Sequence, residues 1–117
     1  MSSGFGLVVL AALSVAACNS ARKQECEKLV GAIKPLDEGT PNADTVERVQ
    51  RDLLATKFED VPLRVYAKNY GARLTVLANT LTLKASGSAP DGTDDVIKQN
   101  LKAARTDSED IARYCAE

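Results

Sequence analysis

The sequence of 117 residues contains no histidine and no tryptophan, and only 4% of its residues are aromatic. Without histidine, it lacks the commonest general base and the commonest ligand of transition metals. Lys and Arg number 15 against 16 Asp and Glu, so the formal net charge is −1. This balance provides neither the basic excess of a nucleic-acid-binding protein nor the acidic excess of a disordered tail. The composition therefore excludes several classes of function and indicates no cofactor.

Charge is also absent from the first part of the chain, where no charged residue precedes Arg22. The segment from Phe5 to Ala17 (FGLVVLAALSVAA) is apolar apart from one glycine and one serine. About 13 residues are too few to span a membrane, which takes about 20. An apolar run of this length that ends in small residues is typical of the hydrophobic region of a secretory signal peptide. The alternative is a buried apolar helix followed by an unmodified cysteine.

The apolar run ends in Val15-Ala16-Ala17-Cys18, which is an aliphatic residue, two small residues and a cysteine. This order resembles the lipobox of bacterial lipoproteins, which carry a type II signal peptide. The resemblance implies that residues 1–17 are removed, that Cys18 carries lipid, and that residues 18–117 form a lipid-anchored domain. It also implies that the protein lies in the bacterial cell envelope, with the membrane as its partner. In enterobacterial lipoproteins an Asp after the cysteine favours retention in the inner membrane. Asn19 is not that signal, so the expected location is the outer membrane, facing the periplasm or the cell surface.

Two further cysteines, Cys26 and Cys115, lie near opposite ends of residues 18–117. An exported protein folds in an oxidising compartment, where such a pair tends to form a disulfide. Two unrelated buried thiols are the alternative. A redox-active pair is disfavoured because the chain has no Cys-x-x-Cys motif.

After Cys18, apolar residues recur at helical spacing in four segments. No segment alternates polar and apolar residues for long enough to predict a strand. Turn-forming residues, PLDEGTPNA at 35–43 and SGSAPDG at 86–92, separate two pairs of segments. The approximate bounds of the segments are Ser20–Lys34, Asp44–Glu59, Pro62–Ala85 and Thr93–Ala116.

Individual positions carry further expectations. Asp44 is the expected N-cap of the second helix, and Glu47 would complete a capping box. Pro62 suits the first turn of the third helix. Gly71, inside that helix, predicts a kink or a close helix contact. The apolar faces are expected to include Val30 on the first helix, Leu54 and Phe58 on the second, and Val65, Val76 and Leu83 on the third.

Short connections favour antiparallel neighbours, so the sequence predicts an all-α protein, an antiparallel four-helix bundle that follows the cleaved signal segment. In such a bundle, the first helix begins beside the end of the fourth. Cys26 and Cys115 occupy these two places, each on an apolar face. The topology and the cysteine count therefore predict the same bridge.

Candidate site residues are few. Tyr66 and Tyr70 lie one turn apart on the third segment, and Ala104 lies on the apolar face of the fourth. An aromatic stripe at helical spacing belongs more often to a core, but these three residues would line any cleft in the bundle. Acidic pairs are attributed to helix ends and solvated surface, because neither histidine nor calcium-loop spacing accompanies them. No metal site and no catalytic residue is predicted.

Two functions remain open. The first is a non-enzymatic cell-envelope lipoprotein with a structural or protein-interaction role, whose partner would be an unidentified envelope protein, not nucleic acid. It predicts an exposed apolar or aromatic patch. The alternative is an envelope-anchored binder of a small apolar or metal ligand, which predicts a cavity near Tyr66, Tyr70 and Ala104. An enzyme is disfavoured because no constellation supplies a nucleophile, a base and oxyanion donors together.

Overall fold

A computed structural model describes residues 21–117, which form four α-helices and one short 3₁₀ turn and contain no strand. The all-α prediction is therefore confirmed. The predicted signal peptide at residues 1–17 and the predicted lipid site at Cys18 lie outside the described residues. We number the helices in chain order: α1 at 21–33, α2 at Ala43–Ala55, α3 at Val61–Ala85 and α4 at Thr93–Ala116, with the 3₁₀ turn at Lys34–Leu36 after α1.

Contacts at both ends of α3 and α4 show that these two helices are antiparallel. Tyr114, near the end of α4, contacts Asp60 at the start of α3. At the other end of the bundle, the Lys84 ammonium lies 2.8 Å from the Asp94 carboxylate. The end of each helix therefore lies beside the start of the other.

Helix α1 closes the bundle between α2 and α4. Cys26 of α1 is bonded to Cys115 in the last turn of α4. Glu25 accepts hydrogen bonds from the backbone of Glu59 and Asp60, which follow α2. The start of α1 thus lies beside the ends of α2 and α4, and the four helices form the predicted antiparallel bundle.

The core consists of one apolar stripe from each helix, together with two residues of the connections. Its largest fully buried side chain is Tyr70. The buried hydrophobic residues are Cys26, Leu29, Ile33, Leu36, Val46, Val49, Leu53, Phe58, Leu63, Ala67, Tyr70, Leu74, Leu77, Ala78, Leu81, Ile97, Leu101, Ala104 and Ile111.

Both ends of α2 differ from the prediction. The N-cap is Asn42, whose side chain accepts a 2.8 Å hydrogen bond from the Thr45 amide, and Asp44 lies in the first turn instead. The helix ends at Ala55 rather than Glu59, because Thr56 adopts an extended conformation. Phe58 is nonetheless buried, from the connection and not from the helix.

Helix α3 begins within one residue of the predicted position and continues past Gly71 to Ala85. Asp60 is its N-cap, accepting a hydrogen bond from the Leu63 amide, and Pro62 lies in the first turn. A Cβ atom built on Gly71 would have no neighbour within 4 Å, so the predicted close contact is absent. The Gly71 carbonyl instead accepts a 3.3 Å hydrogen bond from the side-chain Nε2 of Gln50 on α2.

Five residues expected on core faces point outward instead. The exposed fractions are 80% for Leu54, 51% for Val65, 47% for Val76, 42% for Leu83 and 39% for Val30. The reason is geometric, since successive residues on a helix are about 100° apart. Leu54 and Val30 each follow a buried leucine, and the three residues of α3 fall between its inward positions. Within residues 21–117, no helix has the length and apolar character needed to cross a membrane.

Candidate functional site: the disulfide end of the bundle

One end of the bundle brings together the start of α1, the α2–α3 connection, the start of α3 and the end of α4. We call residues 21–26, 54–66 and 111–117 the disulfide end. The covalent distance from Cys18 to residue 21 is three residues, or roughly 11 Å of fully extended chain. This end is therefore the part of the described structure that lies closest along the chain to the predicted lipid site.

The Cys26–Cys115 bond joins residues separated by 89 positions, with Cα atoms 5.7 Å apart. Cys26 is buried and Cys115 is partly exposed. Arg22 and Lys23 line a shallow depression beside the bond. A bridge at this point ties the first and last helices together where the described chain begins.

A polar cluster surrounds the bridge and is centred on Tyr114. The Arg22 guanidinium donates a 2.8 Å hydrogen bond to the Tyr114 carbonyl, and its carbon lies 4.1 Å from the centre of the Tyr114 ring. The Tyr114 hydroxyl donates a 2.6 Å hydrogen bond to the Asp60 carboxylate. Through its side chain and its backbone carbonyl, Tyr114 thus connects α1, α3 and α4.

Glu25 fixes the connection between α2 and α3. Its carboxylate accepts hydrogen bonds from the amides of Glu59 and Asp60, at 2.6 and 3.1 Å. Arg64 holds the same connection from the other side, since its Nε donates a 3.1 Å hydrogen bond to the Phe58 carbonyl. The backbone of the connection that follows Ala55 is therefore hydrogen-bonded to side chains of α1 and α3.

The electrostatics of this cluster favour a neutral Tyr114. Its hydrogen bond to Asp60 raises the pKa of the Tyr114 hydroxyl, burial and the negative charge of Asp60 raise it further, and Arg22 partly offsets the rise. In the core, burial raises the pKa of Tyr70 far above its usual range, and Asp37 and Asp107 add to the rise.

The three residues of the predicted cleft lie at different depths. Tyr70 and Ala104 belong to the packed core, with exposed fractions of 1% and 4%. Tyr66 is partly buried, and its ring lies 5.7 Å from that of Tyr114 at an angle of 52°. A groove of about 330 Å³ exists elsewhere, between α2 and α3, with Leu54 and Phe58 among its lining residues. The arrangement gives the predicted cleft no support.

Tyr114 is adjacent to Cys115 in the sequence, but nothing in the sequence indicates the partners of its side chain. Arg22 and Tyr114 are 92 positions apart, and Tyr114 and Asp60 are 54 apart. No local pattern links residues at such separations. The position of the bridge could have indicated that side chains near Cys26 and Cys115 meet.

The chemistry of the cluster suits a structural role. Glu25, Asp60, Arg22 and Tyr114 each use polar atoms to join separate segments of the chain. Within residues 21–117, no group of three or more His, Cys, Asp or Glu side chains is arranged to hold a metal ion. No family model, curated protein or solved structure matches this chain. Its function must therefore be inferred from its own residues.

Proposed function

We propose that this protein is a non-enzymatic bacterial cell-envelope lipoprotein whose helical bundle has a structural or protein-interaction role. The observation that carries the proposal is the sequence Val15-Ala16-Ala17-Cys18 at the end of an uncharged apolar run. Residues 1–17 would be removed as a signal peptide, and Cys18 would become the lipid-bearing first residue of a domain spanning 18–117. Because Asn19 is not the signal for inner-membrane retention, the expected location is the outer membrane.

The disulfide supports this assignment. A bridge between Cys26 and Cys115 is expected in a protein that folds outside the reducing cytosol. The bridge also lies close along the chain to Cys18, at the end of the domain that a lipid anchor would hold near the membrane. The lipid and the bridge would then act on the same end of the molecule.

Physical chemistry explains why such an anchor suffices without a spanning helix. Each buried methylene of an acyl chain contributes about 0.8 kcal/mol, and two or more chains give stable attachment. A protein held this way is anchored to the membrane and does not cross it. The domain is then free to present its surface to envelope components.

Attachment of lipid to Cys18 tests the proposal directly. In cells supplied with a labelled fatty acid, the wild-type protein should become labelled, and Cys18→Ser should remain unlabelled with residues 1–17 still attached. The neighbouring substitution Asn19→Ser is the matched control, because it leaves the cysteine and the preceding small residues intact. An unlabelled wild-type protein, or a labelled C18S variant, would contradict the anchor.

A further inference from the structure

We propose that the disulfide end rests against the phospholipid bilayer, so that the bundle stands on the membrane through an apolar contact additional to the lipid. The inference depends on the proposed anchor at Cys18. It concerns three outward-facing side chains, Leu54, Val61 and Val65, which we call the apolar trio.

The apolar trio is distinguished by exposure and by position. Among residues 21–117, seven large hydrophobic side chains are exposed, and these three are the most exposed, at 80%, 62% and 51%. Leu54 lies in the last turn of α2, and Val61 and Val65 lie in the first two turns of α3. These turns lie at the disulfide end, so the three most exposed large hydrophobic side chains of residues 21–117 are all found there.

The tether determines which surface meets these side chains. Roughly 11 Å of extended chain is the longest span from Cys18 to residue 21. Arg22 is in turn fixed to Tyr114, whose hydroxyl bonds to Asp60, the residue before Val61. A lipid on Cys18 therefore holds the start of α3 close to the bilayer surface, and the contact costs little additional ordering.

The charges at this end fit a phospholipid surface without dominating the contact. Arg22 and Lys23 follow the anchor position closely, so in an anchored protein they would lie near the lipid headgroups. The carboxylates of Glu25 and Asp60 are occupied by hydrogen bonds within the protein. Since Glu59 is also exposed here, the end carries charges of both signs. We therefore expect the apolar trio to make the main contact with the bilayer, and anionic lipid to strengthen membrane binding only modestly.

The absence of tryptophan makes a clean experiment possible. Val65→Trp places the sole indole of the protein on the proposed contact. Val76→Trp is the matched control: it replaces the same residue type on the same helix, at 47% instead of 51% exposure. The two positions are 11 residues apart, close to three full turns, so they share a face of α3 and differ by about 17 Å along it.

Each lipidated variant would be purified from membranes and reconstituted into phosphatidylcholine vesicles with bromine-labelled acyl chains, with and without phosphatidylglycerol. The V65W indole should show blue-shifted emission and lose most of its intensity to the bromine. The V76W indole should emit as in water and keep its intensity. Helical circular dichroism equal to wild type would show that both variants are folded.

Flotation with the vesicles separates this inference from the anchor on which it depends. Protein that floats while the V65W and V76W indoles are equally unquenched retains the anchor and overturns the bilayer contact. A V65W indole that is protected in native envelopes but unquenched in pure lipid vesicles would also overturn it, in favour of a protein partner. Protein that fails to float would overturn both.

Discussion

Tyr114 connects three parts of the bundle through one hydroxyl, one ring and one carbonyl. Its ring lies under the Arg22 guanidinium, and its hydroxyl reaches Asp60 at the start of α3. A tyrosine at the edge of a core satisfies its polar atom while its ring stays packed. At the residue scale, this side chain is therefore expected to stabilise the disulfide end beyond the contribution of the bridge.

Removing the Tyr114 hydroxyl tests that expectation. Tyr114→Phe keeps the ring beside Arg22 and loses the hydrogen bond to Asp60, so the free energy of unfolding should fall by about 1 kcal/mol. Urea denaturation measures the change. Tyr66→Phe is the control, because the Tyr66 ring packs beside Tyr114 while its hydroxyl donates to no described residue. Equal losses for both variants would show that the bond to Asp60 contributes nothing.

The buried side chain of Tyr70 predicts a loss of stability at alkaline pH. Burial raises the folded pKa of Tyr70, whereas the unfolded chain ionises near pH 10. Stability due to the neutral hydroxyl is therefore complete below pH 10 and declines as the pH rises toward the folded pKa. Between those values the decline is about 1.4 kcal/mol per pH unit.

Urea titrations at a series of alkaline pH values measure this slope. Tyr70→Phe has no hydroxyl to ionise at this position and should show a shallower decline than wild type. A decline of the same steepness in wild type and Y70F would contradict the assignment to Tyr70.

Hydrophobic periodicity determined the elements well because one period repeats over several turns of each helix. The bounds of α3 and α4 match the prediction to within one residue. The ends of α2 were predicted less well, since Asn42 and Asp44 are both good N-caps and only the backbone at Asn42 selects between them. Nor could the sequence assign Val65 and Val76 to a face, because α3 carries apolar residues on both its inner and outer sides.

Gly71 provides the test at the scale of the element. A mid-helix glycine costs up to about 1 kcal/mol relative to alanine, and a Cβ atom here would meet no neighbour. Gly71→Ala should therefore raise the free energy of unfolding by about 0.5–1 kcal/mol. Gly92→Ala is the opposite control, because Gly92 has a φ of 88° that alanine rarely adopts. If thermal unfolding shows no gain in stability for G71A, the prediction that this position accepts alanine without strain would be contradicted.

The fold of residues 21–117 and their bridge were predictable for a shared reason. In an antiparallel bundle of four helices, the first helix begins beside the end of the fourth, and Cys26 and Cys115 occupy these two places. The polar cluster was not predictable, because Arg22, Asp60 and Tyr114 come together only after the bundle has formed. The exposure of the apolar trio was not predictable either, because it depends on which face of each helix packs against the core, and the sequence pattern does not determine that face.

Loss of the bridge should be the largest change in stability among these tests. The disulfide closes a loop between positions 89 apart, and removal of such a bond typically costs roughly 2–4 kcal/mol. The double substitution Cys26→Ala with Cys115→Ala should lower the midpoint of urea unfolding accordingly. Wild-type protein treated with reductant should approach the same midpoint, and an unchanged midpoint in both would show that the bridge is dispensable.

The central claim, that a lipid and a bridge act on one end of this domain, is tested most directly by an intact mass. The protein would be purified from its native membranes and measured with and without reductant. The account predicts the mass of residues 18–117 plus a lipid adduct, increasing on reduction by the mass of one hydrogen molecule. A mass equal to residues 1–117 without lipid would contradict the anchor, and a mass unchanged by reductant would contradict the bridge.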